Sequence, residues 1–170
     1  MGSDIKVEFF YDFTSPTSYL AWTQLIKLAG EYDFEPIYKP ILLGGIFKSI
    51  GNTAPISIEA KGKWLFEDME RFAKLYNVKF YRNIYFPFNS IKVMRGAIWA
   101  HSIGMIKEYN ELFFRAAWAS NKDLSNSIVV EEILRGSKFE YSEFESQIQS
   151  DSVKRDLISL NDEGISRGIF

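Results

Sequence analysis

The chain is 170 residues long, 46% apolar and 25% charged, the make-up of an ordinary globular protein with room for one buried core. Lys and Arg number 20 against 22 Asp and Glu, a net charge of −2, and scattered basic residues of this kind give no support for a nucleic-acid surface. With no cysteine and a single histidine, His101, the chain cannot cycle its own disulfide, hold a His/Cys metal cluster or run an ordinary histidine-based triad.

The first element predicted is a strand over Ile5–Phe10. Ile5, Val7 and Phe9 alternate with Lys6 and Glu8, and the run then becomes wholly apolar, as in a strand end buried on both faces. Residues Tyr11 to Leu20 follow as Y-D-F-T-S-P-T-S-Y-L. A C-x-x-C redox pair would occupy Ser15–Ser18 in a disulfide oxidoreductase, but both ends are serine here. Ser15 is a good N-cap, and Pro16 suits the first helical position because its missing N–H would be an orphan there. A helix start offers partial positive charge and unpaired donors, so the pattern suits a thiolate supplied by another molecule. A plain capped helix accounts for the same residues.

That helix is predicted from Pro16 to about Tyr32, with Tyr19, Trp22, Leu25, Ile26 and Ala29 on its apolar face. Phe34–Ile41 reads as a second strand, and Pro36 and Pro40 argue for an edge position or irregular ends. Gly44, Gly45, Lys48 and Ser49 resemble a phosphate loop only superficially, since Phe47 stands where glycine must precede the lysine. Beyond this point the pattern is helical. Helices are expected around Trp64–Tyr76, around Ile91–Ile98 with Ser90 as cap, around Tyr109–Ala117 and around Val129–Leu134. Two shorter ones are expected at Phe144–Ile148 and Val153–Leu160. His101 is expected as a partly buried structural residue of its helix. Asp12 is equally well explained as a turn or buried aspartate and as a base near Ser15. Phe13, Tyr85, Phe86 and Asn89 are candidates for the border of an acceptor pocket, although core packing accounts for the aromatics. No stretch approaches the ~18 apolar residues of a membrane span. No signal peptide is visible either, so a cytoplasmic protein is expected.

The stretch Val7–Trp22 (V-E-F-F-Y-D-F-T-S-P-T-S-Y-L-A-W) resembles the N-terminus of the 2-hydroxychromene-2-carboxylate isomerase family, glutathione-dependent relatives of kappa-class glutathione transferases and DsbA-type oxidoreductases. Lys39–Pro55 followed by Lys61, then Met94–Ala100 and Phe114–Trp118, fall in the family's order. The resemblance implies an α/β, thioredoxin-like fold interrupted by a large helical insertion. Residues 1–45 would form the N-terminal βαβ half, 46–160 the insertion and 161–170 the start of the return. Family members continue through a cis-proline segment into two more strands and a helix. The sequence stops at Phe170, so these C-terminal sheet strands are expected to be missing, and none of the five prolines is expected to stand in for the cis-proline.

By resemblance, Ser15 is the catalytic residue, donating a hydrogen bond to the glutathione sulfur. Asn52 and Lys61 match positions that hold the tripeptide, although a turn residue after Gly51 and a solvated lysine at a helix start explain them otherwise. The implied activity is glutathione-dependent cis–trans isomerisation of a small aromatic or conjugated carbonyl compound, in a homodimer, with no metal, nucleic acid or membrane partner. A kappa-type transferase and a truncated, non-catalytic binding module of the same fold are the alternatives.

Overall fold

The computed structural model describes residues 6–170, so Ile5 of the expected first strand lies outside the described residues. Strand β1 is Glu8–Tyr11, helix α1 is Pro16–Tyr32 and strand β2 is Ile37–Pro40. The two strands pair in parallel, with Glu8 opposite Ile37 and Tyr11 opposite Pro40. Proline has no N–H to give, and the next bond of the ladder comes from Ile41 N–H to the Tyr11 carbonyl at 2.9 Å. Strand β1 runs one residue past the expected Phe10, and β2 is shorter than the expected Phe34–Ile41, because the Phe34 N–H turns back to the Ala29 carbonyl at 3.2 Å.

Helix α2 (Leu43–Ile50) follows directly, then a 3-10 helix at Pro55–Ser57 and helix α3 (Glu59–Leu75). An irregular segment leads to α4 (Ile91–Ser102), α5 (Ile106–Ala119), α6 (Ser127–Arg135), α7 (Tyr141–Gln147) and α8 (Asp151–Ser166). Helix α2 was not expected, and α8, at 16 residues, is not the short helix predicted. His101 is exposed in the last turn of α4 rather than partly buried. A cation or polar side chain is favoured at that helix end. Ser90 precedes α4 but gives no capping bond. Asn89 takes that part, its Oδ1 accepting from Ile91 N–H at 3.0 Å.

The core is an aromatic cluster between the sheet and α5. Tyr11, Phe13, Tyr109, Phe113, Phe114 and Trp118 are all essentially inaccessible to solvent. Their rings meet edge-on or tilted, as between Phe13 and Phe114 at 4.8 Å; each such pair adds ~0.5–1.5 kcal/mol beyond burial. Polar groups of the β1–α1 turn are satisfied far along the chain. The Tyr11 hydroxyl donates to Asn110 Oδ1 at 2.5 Å, the Phe13 N–H points to the Met94 sulfur at 3.4 Å, and the Trp118 indole N–H donates to the Phe13 carbonyl at 2.8 Å.

Helix α8 packs on β2 and α2 and is held there by ionic contacts. Lys39 bridges Glu8 at 3.5 Å and Glu163 at 3.1 Å, and Arg167 bridges Glu8 at 2.6 Å and Glu163 at 2.9 Å. The Asn161 side chain lies against Leu42, accepting from its N–H at 2.8 Å. Gly45 permits this, since a Cβ there would sit 3.1 Å from the Asn161 amide nitrogen. Among the described residues, no helix is long and apolar enough to cross a membrane.

Candidate functional site

Ser15 caps α1 as its sequence predicts. Its backbone is extended (φ −90°, ψ 112°), and its hydroxyl accepts from Ser18 N–H at 3.1 Å. The Thr17 hydroxyl lies 2.9 Å away. A serine hydroxyl has one proton and two lone pairs. Either hydroxyl can be the donor of that pair; with Thr17 donating, the Ser15 proton is left for a third group.

That third group would sit in a cavity of about 720 Å³ whose lining includes Ser15, Thr17 and Ser18. Helix α2 with Leu42, Leu43 and Phe47 forms one wall, and Phe86, Pro87 and Phe88 form another. This volume lies within the range of sites for small molecules, which are mostly apolar with a few placed polar groups. The aromatic wall is well fixed. Asn83 donates to the carbonyls of Ala117 (2.8 Å) and Lys122 (2.9 Å), and the Thr14 hydroxyl donates to the Phe88 carbonyl at 3.1 Å. Phe86 packs edge-on against Phe66 at 5.4 Å and Trp118 at 5.6 Å. The Phe86–Pro87 peptide bond is cis.

Asp12 is the acid of this cavity. It is 1% exposed, and its carboxylate accepts from Thr14 N–H at 2.9 Å and from Leu43 N–H at 2.8 Å. One side chain thus shapes the turn before α1 and supplies the N-terminal acceptor that α2 lacks in its own sequence. Burial pushes the Asp12 carboxyl above its ordinary value of 3.8, while bonds from the Ser90 hydroxyl and the two backbone N–H groups pull it back. Tyr11, the other titratable side chain of the lining, is raised well above 10.0 by burial and turns its hydroxyl to Asn110.

The structure does not bring every sequence candidate to the cavity. Phe86 and Asn89 line it, whereas Phe13 is core and Tyr85 is exposed outside it. Asn52 and Lys61 are exposed and are not part of the lining. Asn52 stands just after Gly51, the left-handed end of α2, with its Oδ1 accepting from Thr53 N–H at 2.8 Å. Lys61 is in the first turn of α3, which packs on the 3-10 helix at Pro55–Ser57. The segment between them, Ala54 to Ile56, does line the cavity. Sequence reasoning missed Ser90, Leu43 and Thr17, and also Ile169 and Phe170, which border the same space. Thr17 alone had a local signal, lying two residues after the capping serine.

A model of the DSBA-like thioredoxin domain matches residues 6–170. The chain is 30% identical to a 2-hydroxychromene-2-carboxylate isomerase of Pseudomonas sp. (strain C18) over 98% of its own length and 78% of that protein's. It is 29% identical to human glutathione S-transferase kappa 1, over 70% of this chain and 56% of that one. A solved 2-hydroxychromene-2-carboxylate isomerase superposes with a TM-score of 0.86 at 25% identity, over 98% of this chain and 82% of the other. The chain therefore belongs to the DSBA-like thioredoxin domain family and, within it, to the 2-hydroxychromene-2-carboxylate isomerases.

Proposed function

We propose that the chain is a glutathione-dependent isomerase of a small aromatic or conjugated carbonyl compound, with Ser15 as its catalytic residue. The observation that carries this reading is a helix-capping serine whose hydroxyl is set in the wall of a largely apolar cavity. When bound, glutathione supplies a sulfur nucleophile able to add reversibly to a conjugated system. The chain's part is to favour the anionic sulfur and to hold a flat substrate beside it. Helix starts depress thiol values to ~3.5–7.5 from ~8.5, and the Ser15 hydroxyl adds a charge-assisted hydrogen bond. The cavity fits the thiol end of such a ligand. Asn52 and Lys61, beside the Ala54–Ile56 wall, would reach its peptide carboxylates. Phe86 and Phe88 would face the substrate, and an apolar surround strengthens the fixed dipoles acting on the reacting atoms.

The kappa transferase relatives support a second reading, in which the same site conjugates glutathione to an electrophile. The experiment has two parts. Reduced glutathione at 100 times its dissociation constant should add ~2.7 kcal/mol of stability, roughly 5–10 °C in a chain of this size. Isomerase and conjugation assays on the same preparation then decide between the two reactions, and no thermal shift at any glutathione concentration refutes both.

A further inference from the structure

Among the described residues, Asp12 is the only carboxylic acid side chain lining the cavity, and the proposed isomerisation gives it no part so far. It is buried at 1% exposure, three residues from the capping serine. Its neighbours are donors without charge, namely Thr14 N–H, Leu43 N–H and the Ser90 hydroxyl. No cation is among the groups that act on the Asp12 carboxyl. Lys39 of β2 lies between Glu8 and Glu163, and Lys92 of α4 donates to the Ser127 hydroxyl at 2.7 Å. Lys48 of α2 is outside the lining, and Tyr11, the other titratable group facing this space, is bonded to Asn110.

A carboxylate with no counterion in an apolar cavity resists a second negative charge beside it. A thiol that ionised at Ser15 and lost its proton to bulk water would create that second charge. We propose instead that Asp12 takes the proton of the thiol bound at Ser15 and holds it while the sulfur is anionic. The S–H bond breaks with its electron pair left on sulfur, an O–H bond forms on the Asp12 carboxylate, and the pair carries one negative charge before and after. The upward displacement of the Asp12 carboxyl by burial brings its proton affinity toward that of a thiol depressed by the helix start, which is what an exchange between the two requires.

This inference rests on the glutathione reading, and one set of measurements separates their failures. Reduced glutathione is titrated into the chain calorimetrically in two buffers of different ionisation heat, about one pH unit below the free-thiol value of ~8.5. Ultraviolet absorbance reports thiolate formation on the same samples. Wild type should form thiolate while releasing close to no proton. Asp12→Asn should either release about one proton per thiolate or form no thiolate. Ser90→Ala, which keeps both backbone bonds to Asp12, guards against misfolding of the first variant. It should move the pH at which proton release begins upward, because it removes a bond that favours the carboxylate. Binding with one proton released per thiolate in wild type and variants alike overturns the role of Asp12 alone, as does binding without thiolate. No binding refutes the glutathione reading, and the inference falls with it.

Discussion

Replacing Ser15 separates a capping role from a chemical one, because alanine and glycine differ in the first and agree in the second. The Ser15 hydroxyl accepts from Ser18 N–H at 3.1 Å, and Ser→Ala at an N-cap costs about 1 kcal/mol, against only a few tenths for Ser→Gly. For a chain of this length that difference, about 0.7 kcal/mol, is about 1.5–3 °C in Tm. On the proposed reading both variants also remove the hydroxyl that donates to the glutathione sulfur. A hydrogen bond to a charged group contributes ~1.5–3 kcal/mol, so glutathione affinity should fall roughly 10- to 150-fold in both. Scanning calorimetry of the free chain measures the first effect, and isothermal titration with reduced glutathione the second. Ser15→Ala and Ser15→Gly binding glutathione as tightly as wild type would reduce Ser15 to a cap and remove it from the chemistry.

Lys61→Ala should weaken glutathione binding and leave Tm nearly unchanged, as expected of an exposed lysine; equal affinity would take Lys61 out of the site. Gly96→Ala should destabilise the chain by ~1–3 kcal/mol through overpacking, because its Cβ would run into the Tyr109 hydroxyl and lie 2.5 Å from Phe144 Cε2, and thermal unfolding reads this directly. Bonds to Arg167 and Lys39 hold the Glu8 and Glu163 carboxyls below 4.5. Their stabilisation is therefore complete above that value and is lost as pH falls through their folded values, and Arg167→Ala should flatten this acid limb of the Tm profile. Asp12 has the opposite sign. Its folded value lies above 3.8, so stability is lost as pH rises from 3.8 through that value, and Asp12→Asn should remove this falling portion.

What the sequence disclosed was local. Ser15, Pro16 and an apolar stripe ending at Tyr32 specify α1 within one window, and α1 has those limits. The parallel pairing of β1 and β2 likewise follows from a strand–helix–strand order. Helix α2 escaped notice for the converse reason. It opens with Leu43-Gly44-Gly45, and its N-terminal acceptor is Asp12, 31 residues earlier. Ser90 looked like the cap of α4, yet its hydroxyl serves the Asp12 carboxyl while Asn89 caps the helix. His101 carries no signal that separates an exposed helix end from a half-buried one. The cavity was the least legible feature, since its walls come from segments around residues 12, 43, 55, 88 and 169, whose adjacency exists only after folding.

The bonds that satisfy the β1–α1 turn have a consequence for how the chain is made. Tyr11, Phe13 and the Met94, Asn110 and Trp118 side chains that serve them are 81 to 105 residues apart. During synthesis the strand and helix that carry Ser15 leave the ribosome long before α4 and α5 exist. Until then the Tyr11 hydroxyl and the Phe13 backbone have only water for partners, and the rings that bury them have nothing to pack against. Contacts of such long sequence separation form late, after the loop-closure entropy has been met. The element that announces itself first in the sequence is thus among the last to acquire its working surroundings, and a nascent chain stopped before Trp118 should present the turn without the cavity.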